Sequence, residues 1–363
     1  MSFKNCRIVG SNIDPESYHR IEEKRGDSAY PMSPSALKEF AQCPSRWIAG
    51  YRSPDSESKY FGSLLDVLLL TPEMFPKKYA VTPETYEATV MECPVCKSQT
   101  DSKSCKGCKT DRVAVKIQKE WNNNSNTCAE WIANQGGKEI VSPKSLAAAA
   151  AAVNRMLLFE PHHEYPIKRF LDASDKQVLV VGEWHDEATG LIVPVRCLLD
   201  LVPRADTEFA KCLGDLKSTR CAAIIPFQRD AFKMRYHVQA AFDTDLYLEA
   251  TGHKEDRNTW CLLVQENFEP YQPGKRIMSD MPDTPGNFIA LGRVTYRKQL
   301  KLYCACLKSG IWPSYDDNEE AVTQGWTPIS AEPWMESEIA FAPQIEAERD
   351  DAPEVEEMLD YKV

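Results

Sequence analysis

The stretch from residue 191 to residue 217 limits the fold most strongly, because it predicts two strands that bring acids and a lysine together. The first apolar run, 191–202, carries Asp200 near its end. The second, 209–217, ends in Gly214-Asp215-Leu216-Lys217. Residues i and i+2 of a strand point to one face, so Asp215 and Lys217 should project together beside Asp200. The pattern predicts a sheet whose strands present two carboxylates and an ammonium at one place.

These three side chains suit metal-assisted hydrolysis of a phosphodiester. Asp200 and Asp215 offer the oxygen ligands that Mg²⁺ or Mn²⁺ prefers. A bound cation activates water and neutralises charge in the transition state, and Lys217 can orient or deprotonate that water. An isolated Asp-x-Lys is common by chance. The metal-site interpretation is therefore supported by where the motif lies, at the end of a predicted strand that follows the strand with Asp200.

The other predicted elements complete an α/β fold in which a mixed central sheet is flanked by helices. Ser33-Pro34 and Ser142-Pro143 are typical of helix N-termini, with serine as the N-cap and proline at the first helical position. A turn at 186–190 predicts a hairpin with the strand before it. The predicted helices are 33–43, 62–70, 142–159, 226–250 and 287–309, and the further strands are 177–184 and 259–266.

Charge divides the chain unevenly. Residues 316–363 contain 15 acids against Arg349 and Lys362, a net charge of −13, whereas the whole chain carries −11. The rest is therefore +2, so the overall acidity does not exclude a nucleic-acid partner. We predict an N-terminal arm at 1–30, a catalytic domain at 31–315 and an acidic tail at 316–363 that is largely disordered.

Two Cys-x-x-Cys pairs predict a metal-binding insertion at 87–112. Cys93 and Cys96 form one pair, Cys105 and Cys108 form the other, and eight residues separate the pairs. This spacing fits four thiolates around a tetrahedral Zn²⁺. A closed site of this kind is structural, and it would fold a segment too polar to fold alone.

Several other side chains have two interpretations. Asp66 lies in the apolar run 62–70 and is either a metal ligand or a surface aspartate. Gln239 is an amide on a predicted helical face, and it could position a DNA phosphate or a metal-bound water. Glu183 could supply a further carboxylate or be an exposed strand residue. A basic patch near the predicted site, either a phosphate contact or a solvated helix face, comprises Arg220, Arg229, Lys233 and Arg235.

The remaining cysteines raise one more alternative. Cys43 precedes a proline, and Cys304 and Cys306 lie late in the chain. Cysteines placed in this way could hold an iron–sulfur cluster, but a fourth close ligand is missing, which favours buried thiols. Since the chain shows neither an apolar signal region nor a transmembrane run, we expect a cytoplasmic protein without disulfides or membrane contact.

The order of these motifs resembles that of RecB-type PD-(D/E)XK nucleases, and more narrowly the RecE-like exodeoxyribonuclease VIII group of phages and prophages. The resemblance runs from about Tyr30 to Trp334. Its motifs are Ser33-Pro-Ser-Ala-Leu37 with Cys43-Pro44, the helix 62–70, Asp200, Gly214-Asp-Leu-Lys-Ser-Thr219, Tyr236-His-Val-Gln239, Val264-Gln-Glu266 and Gly310-Ile-Trp312-Pro313-Ser-Tyr315.

The resemblance implies a restriction-endonuclease-like core and a Mg²⁺-dependent exonuclease that acts on ends of linear duplex DNA. Relatives degrade the 5′-ended strand, leave a 3′ strand for an annealing recombinase, and often form rings, in bacteria or phage-infected cells. On this basis Asp66, Asp200, Asp215 and the Leu216 carbonyl would bind the metal. DNA contacts would come from Tyr236, Gln239, Arg220, Arg229 and Arg235.

Two residues depart from the family pattern. Asp66 stands where the family usually has a metal-binding histidine, and Asp243 stands where it often has a tyrosine. The alternatives to an exonuclease are a non-catalytic DNA- or protein-binding scaffold, a structure-specific endonuclease, or a CRISPR-adaptation-type nuclease with an iron–sulfur cluster.

Overall fold

The computed structural model describes residues 3–52, 54, 56–100, 102–159, 166–253, 259–280, 287–315 and 317. The chain divides into two compact units, Met1–Trp312 and Pro313–Val363. All helices and strands reported below belong to the first unit. The predicted acidic tail lies outside the described residues, except for Asp317.

The strands, in chain order, are β1 (Phe3–Gly10), β2 (Tyr79–Val81), β3 (Thr85–Glu92), β4 (Ser104–Cys105), β5 (Thr110–Asp111), β6 (Val113–Glu120), β7 (Glu139–Val141), β8 (Ser174–His185), β9 (Ile192–Pro203), β10 (Cys212–Thr219), β11 (Thr259–Glu266) and β12 (Pro273–Met278). The helices are α1 (Pro15–His19), α2 (Pro34–Gln42), α3 (Pro44–Ile48), α4 (Glu57–Leu70), α5 (Phe75–Lys78), α6 (Asn126–Ala133), α7 (Pro143–Leu157), α8 (Ile167–Asp172), α9 (Ile224–Lys233), α10 (Tyr236–Thr251) and α11 (Phe288–Ser309).

A six-stranded mixed sheet forms the centre, with the strand order β1-β8-β9-β10-β11-β12. Only the β10–β11 pair is parallel, and its crossover connection contains α9 and α10. The mixed α/β prediction is confirmed, as are the four predicted strands and the hairpin between β8 and β9. Edge strands β1 and β12 are additional. The predicted arm at 1–30 therefore contributes a strand to the central sheet.

Helices cover both faces of the sheet because side chains alternate between the faces of each strand. One apolar cluster joins α2, α3, α10 and α11 to residues such as Val193, Val195 and Leu199 of β9. A second cluster joins α4, α7 and α8 to Leu216 and Leu263, and Leu263 follows Leu262 of the first cluster on β11, so it lies on the opposite face.

The predicted helix starts are confirmed at two serines. Ser33 accepts a hydrogen bond from the Ala36 N–H at 3.2 Å, and Ser142 accepts one from the Ser145 N–H at 3.0 Å. Helix α4 begins earlier than predicted, after the N-cap Ser56. Helix α11 ends as predicted at Gly310, which has φ = 71°.

The predicted single helix at 226–250 is wrong, since the structure divides it into α9 and α10. Arg235 separates them with φ = 56°, a left-handed conformation that no continuous α-helix contains. The predicted helical face that carries Gln239 is therefore interrupted between the two helices. Phe232 on α9 is 55% exposed, whereas Asp243 on α10 is 1% exposed.

The cysteine-rich insertion forms a separate β-ribbon. Strands β3 and β6 pair along eight residues each, and the short β4–β5 pair lies beyond them. The strands of this ribbon run from 85 to 120 and enclose the predicted insertion at 87–112. Within the described residues, no helix has both the length and the apolar character needed to cross a membrane.

Candidate active site and cysteine cluster

Asp215 and Lys217 project from the same face of β10, as their spacing predicted. The Lys217 Nζ lies 2.7 Å from the Asp215 Oδ2, and the Asp215 side chain is almost fully buried. Burial alone would lower the pKa of Lys217, but the carboxylates of Asp215 and Asp200 outweigh it and raise that pKa. Lys217 is therefore a charged ammonium at neutral pH.

Helix α10 supplies two further groups at this position. The Gln239 Nε2 donates a hydrogen bond to the Asp215 Oδ1 at 3.0 Å. The Tyr236 ring centroid lies 5.1 Å from the Lys217 Nζ. One carboxylate oxygen of Asp215 is thus held by an amide, while the other lies against the Lys217 ammonium.

Asp200 lies where the pairing of β9 with β10 is interrupted. Gly214 and Leu201 are the single pair in register between these strands. The Leu216 N–H instead donates to the Asp200 Oδ2 at 3.0 Å, and Gln177 on β8 lies 3.4 Å from the other oxygen. Burial, followed by the negative charge of Asp215, raises the pKa of Asp200 to about 6.

Asp66 approaches the same carboxylates from α4. A Cβ added to Gly62 would lie 3.0 Å from the Ser218 Oγ, so the helix contacts β10 closely at this glycine. Asp66 lies one turn later on the same helical face. Burial, and next the charge of Asp200, raise the pKa of Asp66 well above its usual value.

The arrangement is suited to a divalent cation. Burial and mutual repulsion both disfavour the charged form of Asp66 and Asp200, and a bound cation would remove that penalty. The Asp215 Oδ2 is buried and lies 2.7 Å from the Lys217 Nζ, which already balances its charge. Among the described residues, however, only the cysteine set has all its ligand atoms within 4.8 Å, so these three carboxylates are not gathered so tightly.

The residues predicted to contact DNA fall into two groups. Arg220 and Arg229 are exposed beside the site, and Arg235 is partly exposed. Gln239 and Tyr236 lie inside, against Asp215 and Lys217. Contact of all five with DNA stays a prediction.

Two side chains that we did not predict also belong to the site. Lys38 on α2 has its Nζ 6.0 Å from the centroid of the Tyr236 ring. Lys217 approaches the same ring. Burial, and then the charge of Lys217, lower the pKa of Lys38 to about 8. Gln177, with φ = 48°, reaches Asp200. Sequence spacing gives no signal for either, because both depend on contacts between elements.

Asp243 lies one turn after Gln239 and is buried with Cys197 as a hydrogen-bond partner. Burial, followed by the charge of Asp215, raises its pKa well above the usual value. A side chain that is 1% exposed does not lie on a surface that DNA could contact. Glu183 binds Asn5 and His185, at 2.7 and 2.8 Å, away from the site.

The four predicted zinc ligands do form a cluster. The sulfur atoms of Cys93, Cys96, Cys105 and Cys108 all lie within 4.8 Å of one another, and the set could hold a structural metal such as zinc. The Cys96 N–H and the Thr110 hydroxyl hydrogen-bond to the Cys93 sulfur and lower its pKa to about 6. A lowered pKa favours the thiolate that zinc requires. The hydrogen bond with Cys96 instead raises the pKa of Cys108 to about 12, so zinc binding would have to release a proton from Cys108.

The other cysteines do not make a second cluster within the described residues. Burial raises the pKa of Cys304 to about 12 and that of Cys306 to about 11. Both are therefore protonated, as the buried-thiol interpretation predicts. No disulfide joins any of the thirteen cysteines, all of which the structure describes.

Comparison with known proteins leaves the family open. No family model matches the sequence, and no curated protein matches it. A crystal structure from Eubacterium rectale, described as "Putative exonuclease", matches with a TM-score of 0.44 and 13% identity, over 90% of this chain and 98% of that one. Rai1 of Scheffersomyces stipitis matches with a TM-score of 0.24 and 11% identity, over 76% and 65% of the two chains. At these values the likenesses do not establish a family.

Proposed function

We propose that this protein is a metal-dependent nuclease that hydrolyses phosphodiester bonds in DNA. One observation carries the proposal. Asp215 and Lys217 form a buried ion pair of 2.7 Å beside Asp200, whose pKa is raised to about 6. Strongly perturbed, mutually interacting acids beside a lysine are typical of reactive sites rather than of packing.

The finer form of the proposal is a Mg²⁺-dependent exonuclease that degrades linear duplex DNA from 5′ ends. The order of its motifs supports this form through the resemblance to RecE-like enzymes. The 3′ strands left behind would serve an annealing recombinase, and the active species would be a homo-oligomeric ring.

Asp66, Asp200, Asp215 and the Leu216 carbonyl would hold Mg²⁺ or Mn²⁺. The cation would lower the pKa of a bound water and offset the negative charge that develops on the phosphate. The protein's own contribution is to hold these oxygens in place. Gln239 fixes one oxygen of Asp215, and the Leu216 N–H fixes one oxygen of Asp200.

Lys217 would act as a hydrogen-bond donor. Since the pKa of Lys217 is raised, its amine is protonated at neutral pH. It therefore cannot act as the general base that removes a proton from water. It can instead orient the attacking water or bind a phosphate oxygen. Arg220 and Arg229, together with Arg235, would contact neighbouring phosphates, which gives little preference for base sequence.

The first experiment follows the loss of linear duplex DNA in Mg²⁺, with covalently closed circles in parallel. We expect the wild type to degrade linear DNA and spare circles. Lys217→Ala should lower the rate at least about 100-fold, the scale at which charge-stabilising groups act in active sites. Lys217→Ala should still bind DNA, and chelation should stop the wild type.

Three outcomes would change the proposal. Nicked circles would keep the nuclease and replace exonuclease with endonuclease. Equal loss of binding and cleavage in Lys217→Ala would remove the role given to this lysine. Absence of cleavage in both Mg²⁺ and Mn²⁺ would contradict the enzyme and favour a binding scaffold.

A further inference from the structure

The ribbon at residues 85–120 has no role in the proposed site, and it contributes no side chain to the three apolar clusters of the molecule. Its stalk, β3 and β6, is exposed along most of its length. The four cysteines could hold a metal that orders this segment, although the segment does not support the core. Its order therefore has another reason. The chemistry of its tip, residues 93–112, points to that reason.

The tip is more basic than the rest of the body, because residues 1–315 as a whole carry a net charge of only +2. Residues 93–112 contain five cations and two acids, a net charge of +3 before metal binding, whereas the whole chain carries −11. Four thiolates and one Zn²⁺ together add −2, which leaves +1. Cys93 and Cys105 are buried, Cys108 is partly exposed and Cys96 is exposed, so the negative charge of the cluster is only partly shielded from the surface. The exposed cations are Lys97, Lys103, Lys106 and Lys109, and of these Lys97 lies 3.4 Å from the Glu92 carboxylate, which a phosphate would have to displace.

Two of these lysines occupy equivalent positions in the two knuckles. Lys97 follows Cys96 with φ = 60°, and Lys109 follows Cys108 with φ = 57°. The Lys97 N–H donates to the Cys93 carbonyl at 3.0 Å, and the Lys109 N–H donates to the Cys105 carbonyl at 2.7 Å. A left-handed residue is favourable for glycine and costly for lysine. The chain therefore has lysine at both turns where glycine would be the less strained residue.

The tip is also held as a unit. Arg112 is buried, and its guanidinium donates to both the carbonyl and the hydroxyl of Ser98, which links the two knuckles. Beside the lysines, Val95 is 66% exposed at the end of the first knuckle. Lysines around a small apolar side chain suit a nucleic-acid backbone, because phosphates bind cations. Such binding requires no contact with the base edges.

We propose that the tip of this ribbon is a second nucleic-acid contact, in which Lys97, Lys106 and Lys109 bind backbone phosphates outside the active site. Its ligand class is the sugar–phosphate backbone of DNA. The contact would hold the substrate while the active site acts on it. Binding at the ribbon does not depend on cleavage, so this proposal and the proposed function can fail separately.

The test uses the full chain loaded with zinc and carrying Lys217→Ala, so that DNA survives the measurement. Affinity for a short linear duplex is measured by anisotropy over a range of salt concentrations. Each lost phosphate contact lowers the slope of log affinity against log salt by about 0.9 for duplex DNA. Combining Lys97→Ala, Lys106→Ala and Lys109→Ala should lower that slope by roughly 2 to 3.

A matched control removes the same charge elsewhere, through Lys138→Ala, Lys144→Ala and Lys301→Ala, all at exposed positions. An equal fall in slope for this control would overturn the proposal, because net charge alone would then explain the effect. An unchanged slope for the ribbon variant would overturn it as well. A single-stranded oligonucleotide of the same length shows which form of DNA the tip prefers.

A second variant separates binding from folding. Lys97→Gly with Lys109→Gly removes both charges and relaxes both left-handed turns. We expect zinc content to be retained and the slope to fall by roughly 2. Retained zinc with an unchanged slope would show that these lysines do not bind DNA.

Discussion

At the scale of single residues, the candidate site contains carboxyl groups whose ionised forms are disfavoured by burial and by neighbouring negative charge. The pKa of Asp200 is raised to about 6, and that of Asp66 is raised well above its usual value. A raised carboxyl pKa means that the metal-free fold resists ionisation of these acids. A site optimised for the stability of the metal-free protein would not contain them.

Asp200→Asn should therefore stabilise the metal-free protein while abolishing cleavage. In the wild type, the unfolded chain loses the Asp200 proton near pH 4 and the folded chain near pH 6, so stability falls as pH rises through this window. Asparagine removes that loss and still accepts the Leu216 N–H. We expect a gain of about 1 to 2 kcal/mol at pH 7.5 in urea unfolding.

The control is Asp175→Asn, at an exposed position on β8. It should change the free energy of unfolding by less than about 0.5 kcal/mol, as surface substitutions usually do. A loss of stability in Asp200→Asn at neutral pH would contradict the raised pKa.

At the scale of elements, one glycine, Gly292, determines how closely α10 and α11 approach each other. A Cβ added to Gly292 on α11 would lie 1.9 Å from the His237 carbonyl oxygen of α10. A backbone atom cannot move aside as the end of a flexible side chain can. The two helices can therefore pack at this distance only while residue 292 has no side chain.

Gly292→Ala should push α11 away from α10 and destabilise the protein by about 2 to 4 kcal/mol, although alanine is the better helix former. Urea unfolding gives the value. Leu291→Ala, at a neighbouring position that is 45% exposed, serves as the control and should have a much smaller effect. A neutral Gly292→Ala would show that the helices are free to separate.

Prediction from sequence succeeded where local patterns decide the structure. Alternating apolar residues gave β8 and β9, serine caps gave α2 and α7, and the i, i+2 spacing gave the pairing of Asp215 with Lys217. Edge strand β1 was missed because most of its residues are exposed and its pattern is polar. The break at Arg235 was missed because an arginine carries no signal for a left-handed turn.

The candidate site was predictable only in part, because several of its contacts depend on how separate elements pack together. The Gln239 contact with Asp215 depends on how α10 crosses the sheet, and the approach of Lys38 depends on how α2 packs against α10. Such contacts join residues distant in sequence, and no local period encodes them. The interrupted pairing that allows Asp200 to accept the Leu216 N–H is equally a property of three strands together.

At the scale of the whole molecule, the ribbon and the core should respond separately to loss of metal. None of the residues in the three apolar clusters lies between positions 85 and 120. The ribbon's order should therefore depend on its metal, as in other small zinc modules, whereas the core should keep its own stability.

Cys93→Ser should lower zinc content from about one ion per chain toward zero, because it removes one of four ligands. Hydrogen exchange should then accelerate across 85–120 and stay slow in β8 to β11. Cys221→Ser, outside the cluster, should keep its zinc. Fast exchange throughout the central sheet of Cys93→Ser would show that the core depends on the ribbon.

The position of Phe3 has a consequence for how the chain folds during synthesis. Phe3 is 1% exposed, and its ring lies 5.5 Å from Trp184, 5.2 Å from Phe242 and 5.6 Å from Tyr296. The ribosome releases these three partners long after Phe3 itself. Strand β1 must therefore wait, unpaired and with its aromatic ring in water, until most of the sheet and helix α11 have been made.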